Sequence, residues 1–292
     1  MMMRNIGIVF AAGLMSISAI GFTQTVTNNW NTPQKPFQVY GNTYYVGTQG
    51  LASILITSKN GHILIDGTLS TSAPQIVDNV RALGFRIEDV KLILNTHVHY
   101  DHAGGIAQLQ KLSGAHVAAS AATAEVMRSG KVGADDPQFA TLPPIAPIAN
   151  VSVFKNGETL TVGKLAVTAH LTPGHTPGGT SWTWESCVDD KCLHMVYADS
   201  LNPIASGNYK YSDPKRDPNG AKQLRESFEV VSRLPCDILL TPHPELVDVS
   251  GKLAKREQGA AQNPFIDTNA CRAYAEASRD KLDKRIEQEK AQ

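Results

Sequence analysis

The chain has 292 residues, 27 basic against 27 acidic side chains, and 42% hydrophobic residues. That length suffices for one large domain with a substantial core, or two small ones, and no linker divides it. Formal neutrality, with no basic stripe interleaved with aromatic residues, argues against a nucleic-acid partner.

Residues 1–21 combine an early Arg4, an apolar stretch from Ile6 to Ile20 and the small-residue exit Ala19-Ile20-Gly21, the pattern of a secretory signal. The apolar part is shorter than the roughly 20 residues that a bilayer span needs, so a membrane anchor is disfavoured. The expectation is an exported, periplasmic domain over residues 22–292, free of the membrane once the signal is removed. Four cysteines, an even number, then suggest disulfides. Cys187 and Cys192 bracket a short hairpin-like loop, and a Cys236 to Cys271 link would tie the C-terminal helix to a late strand, although four cysteines allow three pairings. A cysteine zinc site is disfavoured because no Cys-x-x-Cys occurs.

Beyond the signal, residues 37–47, 51–58 and 62–66 alternate or run apolar, with Lys59-Asn60-Gly61 as a tight turn, which predicts a β-meander. Helical spacing through Ile76, Val77, Val80 and Leu83 follows, ended by Gly84. Next come a strand over 91–95, a helix over 103–113, a strand over 115–119 and a helix over 121–129. A Pro-rich irregular span covers 133–150. A second meander is expected to begin at Val151 and run to Tyr197, before a helix over 220–233, a strand over 237–241 and a terminal helix over about 268–289. Strands, helices, strands, helices in that order predict an α+β single domain whose two sheets pack face to face under outer helices, a four-layered αββα sandwich.

The segment His97-Val98-His99-Tyr100-Asp101-His102 follows the strand over 91–95 directly. In extended backbone residues i and i+2 share a face, so His97 and His99 can reach one metal ion together. Asp101 and His102 fall beyond the strand, where a turn aims them at a second point, and Ala103-Gly104-Gly105 lets backbone crowd in. Each ion still lacks ligands. His175, in the turn-rich Thr172-Pro173-Gly174-His175-Thr176-Pro177-Gly178-Gly179, and His243, in Thr241-Pro242-His243-Pro244-Glu245, both lie in loops that a strand would position. Imidazole and carboxylate donors favour zinc, while manganese and iron accept similar sets. His62, His116 and His194 read as structural or solvated, and His170 stays ambiguous and outside the ligand set.

These residues resemble the metallo-β-lactamase superfamily, whose His-x-His-x-Asp-His signature stands here at 97–102. Residues 61–67, 172–179, Ala198-Asp199-Ser200-Leu201 and 234–245 look like the B3 subclass in matching order, including carbapenemases with the additional Cys187/Cys192 pair. The resemblance implies two Zn2+ ions, one held by His97, His99 and His175 and the other by Asp101, His102 and His243. It implies a water ionised between the ions as nucleophile on a small-molecule β-lactam carbonyl, with Asp101 orienting it and Ser200 helping to hold the second-site water. It also implies that Ser200 and Asn202 face the substrate carboxylate and that Tyr209 points toward the opened carbonyl, although Tyr209 reads equally well as a surface loop residue. Gln138, Phe139 and Trp30 are candidate lips over the site, and Asp66 is a candidate acceptor for a ligand imidazole. A monomer is the expected state. Two other readings stay open. Thioester and lactone hydrolases of the superfamily use an aspartate near Asp199 to bridge two metals, and a zinc-binding protein without turnover would need only the cluster.

Overall fold

The structure, a computed structural model, describes residues 29–213, 215 and 219–291, so the leader expected over 1–21 lies outside the described residues. The first sheet runs in chain order through β1 (Phe37–Tyr40), β2 (Thr43–Tyr45), β3 (Ile54–Ile56), β4 (His62–Ile65), β5 (Val90–Leu94), β6 (His116–Ala119) and β7 (Val151–Val153). The second is built of β8 (Thr159–Val162), β9 (Leu165–Leu171), β10 (Thr180–Val188), β11 (Lys191–Tyr197) and β12 (Ile238–Leu240). Strands β1 to β4 form the antiparallel meander, whereas β4, β5, β6 and β7 pair in parallel.

Alternation along the strands dictates the layering. Ile54, Ile56, Ile63, Ile65, Leu92 and Leu94 turn inward against Val167, Ala169, Trp182, Met195, Tyr197, Ile238 and Leu240 of the second sheet. The residues between them, Leu55, Leu64 and Ile93, face outward onto Ile76 and Val80 of α1 (Ala73–Ala82) and Ile106 and Leu109 of a later helix. Val196 and Leu239 do the same on the other side, under Leu224, Phe228, Tyr274 and Leu282. A strand apolar on both faces must be covered on both, so a continuous apolar run in β3 to β5 requires helices outside and a sheet inside. The αββα sandwich is the result.

The remaining helices are α2 (Tyr100–Ala103), α3 (Ile106–Ser113), α4 (Ala121–Ser129), α5 (Gly220–Arg233), α6 (Val249–Glu257) and α7 (Ala270–Lys290). Three differences from the sequence reading have physical causes. Strand β7 belongs to the first sheet: after α4 the chain crosses back and Val151–Val153 pairs in parallel with β6, so the second meander starts only at β8. Asp101 and His102 sit on the helical turn α2, too short for periodicity to reveal. Helix α6 was masked by its mixed composition, since Val249 is the one buried residue of that helix. Disulfides join Cys187 to Cys192 across the β10–β11 hairpin and Cys236 to Cys271 at the start of α7.

Candidate metal centre

Strand β5 ends at Leu94, and the next residues are clamped rather than paired in the sheet. Buried Asp66 accepts hydrogen bonds from Asn95 Nδ2 (2.9 Å), the Thr96 amide (2.7 Å), Thr96 Oγ1 (2.8 Å) and Tyr197 Oη (2.8 Å). Burial pushes its pKa up, while His102 and these donors favour the charged form. Asp66 therefore fixes the segment that delivers His97 and does not bond an imidazole, which corrects the sequence expectation. The two sheets meet here through Thr180 N to Thr96 O (2.8 Å) and Trp182 Nε1 to Asn95 O (3.1 Å). Close approach also explains a glycine: a Cβ on Gly105 would lie 2.3 Å from Gly67 O.

His97, His99 and His175 converge with ring centroids 4.8 to 5.0 Å apart. Each has an acceptor on its outer nitrogen. His97 Nδ1 donates to Asp199 Oδ1 at 2.7 Å, His99 Nε2 to Asp136 Oδ2 at 3.0 Å, and His175 Nδ1 to the Asn202 carbonyl at 2.8 Å. A proton held outward leaves the inner nitrogen with its lone pair, the arrangement a metal-ligating imidazole needs. The inner His97 Nε2 is buried and has no hydrogen-bond partner among the described residues. Burial first, then the neighbouring imidazoles, holds His97 well below its ordinary pKa and lowers that of His175 to about 3, which keeps both neutral.

Asp101, His102 and His243 form the second cluster. His102 Nε2 lies 3.0 Å from Asp101 Oδ2 and 3.2 Å from His243 Nε2, and His243 Nε2 is 3.5 Å from the same carboxylate oxygen. Burial opposes ionisation of Asp101, but His102 more than offsets it and the carboxyl stays well below the usual range. His102 is pushed up despite its burial, chiefly by Asp101, and burial lowers His243 to about 4. Within each triad all the ligand atoms lie within 4.8 Å of one another. Three imidazoles in one and two imidazoles with a carboxylate in the other fit zinc.

The cleft above the clusters encloses about 470 Å³ and is walled by Trp30, Tyr100, Gln138, Leu142, Asn202, Ile204 and Glu245. The Trp30 ring stands 5.6 Å from that of His243. Gln138 reaches inward, its Nε2 3.5 Å from both His99 Nδ1 and His175 Nε2. Phe139, next to it, is half exposed. Asn202 borders the cleft, and its Oδ1 accepts from Lys281 Nζ of α7 at 3.0 Å. Ser200 is fully buried beneath it, with Oγ 3.5 Å from Asn202 Nδ2. Tyr209 packs edge-on against Tyr211, 5.1 Å away, beside the core under α5 and α7 rather than in the cleft wall. A roomier hollow of about 670 Å³, lined by Lys164, Thr183, Trp184 and His194, gathers no comparable donor set among the described residues.

The other histidines find ordinary partners. His170 bonds Thr183 (2.8 Å), His116 bonds Ser152 (2.7 Å), His194 approaches Glu185 (3.8 Å) and His62 packs on Phe85. Sequence reasoning missed Asp136 altogether. An Asp-Pro step in an irregular span signals a turn but not what the carboxylate faces.

Asp199 bears on both readings. Its Oδ1 holds His97 from behind, and its Oδ2 is buried without a hydrogen-bond partner among the described residues, against Gly179, where a Cβ would stand 2.2 Å away. It sits on the outer nitrogen of His97, opposite the side that faces His99 and His175. A carboxylate there does not bridge the two clusters.

Known proteins resemble this chain in sequence and in fold. The model of the metallo-beta-lactamase superfamily matches residues 47–243. The solved structure of Rm3 metallo-beta-lactamase is 52% identical with a TM-score of 0.87, covering 90% of this chain and 97% of that one. MEM-A1, a subclass B3 metallo-beta-lactamase isolated from a soil metagenome library, is 49% identical at a TM-score of 0.87, covering 90% and 99%. Among curated relatives, hydroxyacylglutathione hydrolase of Bradyrhizobium sp. (strain ORS 278) is 32% identical over 160 residues, 52% of this chain. The chain spans about half (51%) of the length of that relative. With its signature residues gathered at one sheet edge and its family match spanning most of the described chain, this protein belongs to the metallo-beta-lactamase superfamily.

Proposed function

We propose that the chain is an exported, subclass B3-type zinc hydrolase that opens the β-lactam amide of penicillins, cephalosporins and carbapenems. The observation that carries this is the pair of adjacent donor triads at the floor of an open cleft, with each imidazole of the first triad oriented from outside. Two zinc ions, if held there by His97, His99 and His175 and by Asp101, His102 and His243, would supply an acidified water and a Lewis acid for the carbonyl oxygen. The protein's own part is positional. Asp199, Asp136 and the Asn202 carbonyl fix the three imidazoles of the first triad. Asp101 stays ionised beside His102 and His243, so it can accept a hydrogen bond from a reacting solvent molecule. Trp30, Leu142 and Ile204 shed water from the cleft mouth, and the Asn202 amide, with Lys281 behind it, offers donors to the substrate carboxylate. Ser200 lies beneath that amide, and Tyr209, outside the cleft wall, takes no part in this reading. Export accords with the two disulfides, and the enzyme is taken to act as a periplasmic monomer.

The second reading, thioester hydrolysis, is favoured by the hydroxyacylglutathione hydrolase relatives. The placement of Asp199 behind His97 weighs against it. Assaying nitrocefin and imipenem beside an acylglutathione thioester, with zinc content measured on the same sample, separates the two. β-Lactam cleavage at a kcat/KM at least 100-fold above that for the thioester is expected. The reverse ranking refutes the proposal.

A further inference from the structure

The span 133–150 contains no helix or strand, yet it supplies a carboxylate that is only 3% exposed, that of Asp136. Both of its oxygens are engaged, with different parts of the molecule. Oδ2 accepts the His99 Nε2 proton at 3.0 Å, and Oδ1 accepts the backbone N–H of Gln138 at 2.8 Å, an Asx-turn. The turn is closed by Asp136 N to Gly133 O (3.1 Å), Phe139 N to Asp136 O (3.0 Å) and Thr141 N to Gln138 O (3.0 Å). Ser206 N donates to Pro137 O (2.9 Å), which fastens the turn to the opposite cleft wall next to Ile204. Behind Asp136 lies a hollow of about 190 Å³ lined by Val98, Val126 and Pro177. Packing therefore leaves slack on that side, and the hydrogen bonds define where the carboxylate sits. The same turn projects Gln138 Nε2 to 3.5 Å from the inner nitrogens of His99 and His175.

We infer that Asp136 is a positioning residue that joins metal binding by the first triad and the seating of the 133–142 lip into one coupled equilibrium. The inference rests on the two-zinc reading of the site. When His99 Nδ1 ligates an ion, its ring is fixed with Nε2–H outward, which fixes Oδ2 and, through the same carboxylate, the Gln138 amide. Linkage makes the effect reciprocal: whatever the ion adds to lip order, lip order adds to ion affinity. Asn at this position cannot serve both partners. An amide oxygen turned to Gln138 N–H leaves its NH2 against His99 Nε2, which must then surrender its proton to Nδ1, the nitrogen the ion needs. Turned the other way, the oxygen serves His99 and the NH2 opposes the Gln138 N–H.

Hydrogen exchange of residues 138–141 in the whole mature protein, with and without zinc, tests this together with zinc affinity by chelator competition. In the wild type, zinc should slow these amides at least 10-fold. Asp136→Asn should weaken one of the two zinc ions by about 10- to 100-fold, the usual effect of removing such a partner, and abolish the zinc-dependent slowing. Asp136→Glu, which keeps a carboxylate for the imidazole but not the Asx-turn, should recover only part of the affinity, the part that does not come from lip order, and should not recover protection. Equal wild-type exchange with and without zinc overturns the inference, and needs no variant. So does Asp136→Asn binding both ions as the wild type does. A wild-type chain that binds no zinc overturns the metal-centre reading as well, and the chelator titration tells that failure from the others.

Discussion

An imidazole coordinates a metal only through a nitrogen that carries no proton, so the partners on the outer nitrogens decide what His97, His99 and His175 can do. His175→Ala and His243→Ala each remove one donor from a different triad. Each variant is expected to lose one equivalent of zinc by atomic absorption and at least 100-fold in kcat/KM. The same neutral histidines make the zinc-stripped protein acid-sensitive. His97, His175 (about 3) and His243 (about 4) are lowered from 6.5 by burial, so the unfolded chain takes up their protons first and stability falls with pH below about 6.5. Above that value they contribute nothing. His102 is raised, so its contribution is present below 6.5 and lost as pH rises through its folded value. Below about 6.5 His102 is charged in both states and adds no slope. The lowered His62 and His170 add to the loss, the buried Asp66 and Asp199, both raised, oppose it, and the balance is a net loss toward acid on the order of 1.4 kcal/mol per pH unit for each net proton. Chemical denaturation of the stripped protein at pH 7.5, 6 and 5 should show declining stability, and a flat profile would refute the charge assignments.

The elements show why much of the fold was legible and where legibility stopped. Continuous apolar runs in β3, β4, β5, β12 and the end of β11 announce two buried faces, and the His-x-His spacing suits the extended backbone found at His99 beyond β5. Strand β7 was assigned to the wrong sheet because three residues, Val151–Val153, carry no information about which edge they join. Of the six candidate ligand side chains, His97, His99, Asp101 and His102 were readable from their spacing after β5, and His175 and His243 from the Gly and Pro punctuation of their loops. Asp136 was not, since its role depends on a turn meeting His99 from a segment 37 residues away. At this scale the disulfides also differ in what they do. By loop-closure entropy, Cys236–Cys271, spanning 35 residues, should contribute about 4 kcal/mol and Cys187–Cys192, spanning 5, about 2 kcal/mol. Paired Cys→Ser variants compared by thermal melting should rank in that order with β-lactam turnover per folded molecule retained, because neither bridge enters the cleft wall.

Across the whole molecule, the sandwich acts as a rigid frame that brings three distant loops to one edge. Its inter-sheet core, with Trp182 fully buried and bonded to Asn95 O, ties the β5 end to the second sheet. Trp182→Ala should destabilise the protein by about 3–5 kcal/mol and weaken zinc binding with it, as urea denaturation and chelator competition on the same variant would show. Because ions bound only by the folded chain stabilise it, zinc should raise the melting temperature and EDTA should lower it. The central claim is that the two triads hold zinc ions on which β-lactam cleavage depends. Titrating zinc into chelator-stripped protein while following imipenem hydrolysis tests it most directly. Activity that is absent without zinc and rises to a plateau by two equivalents is the predicted result, and hydrolysis that persists in stripped protein, or never appears at saturating zinc, would contradict it.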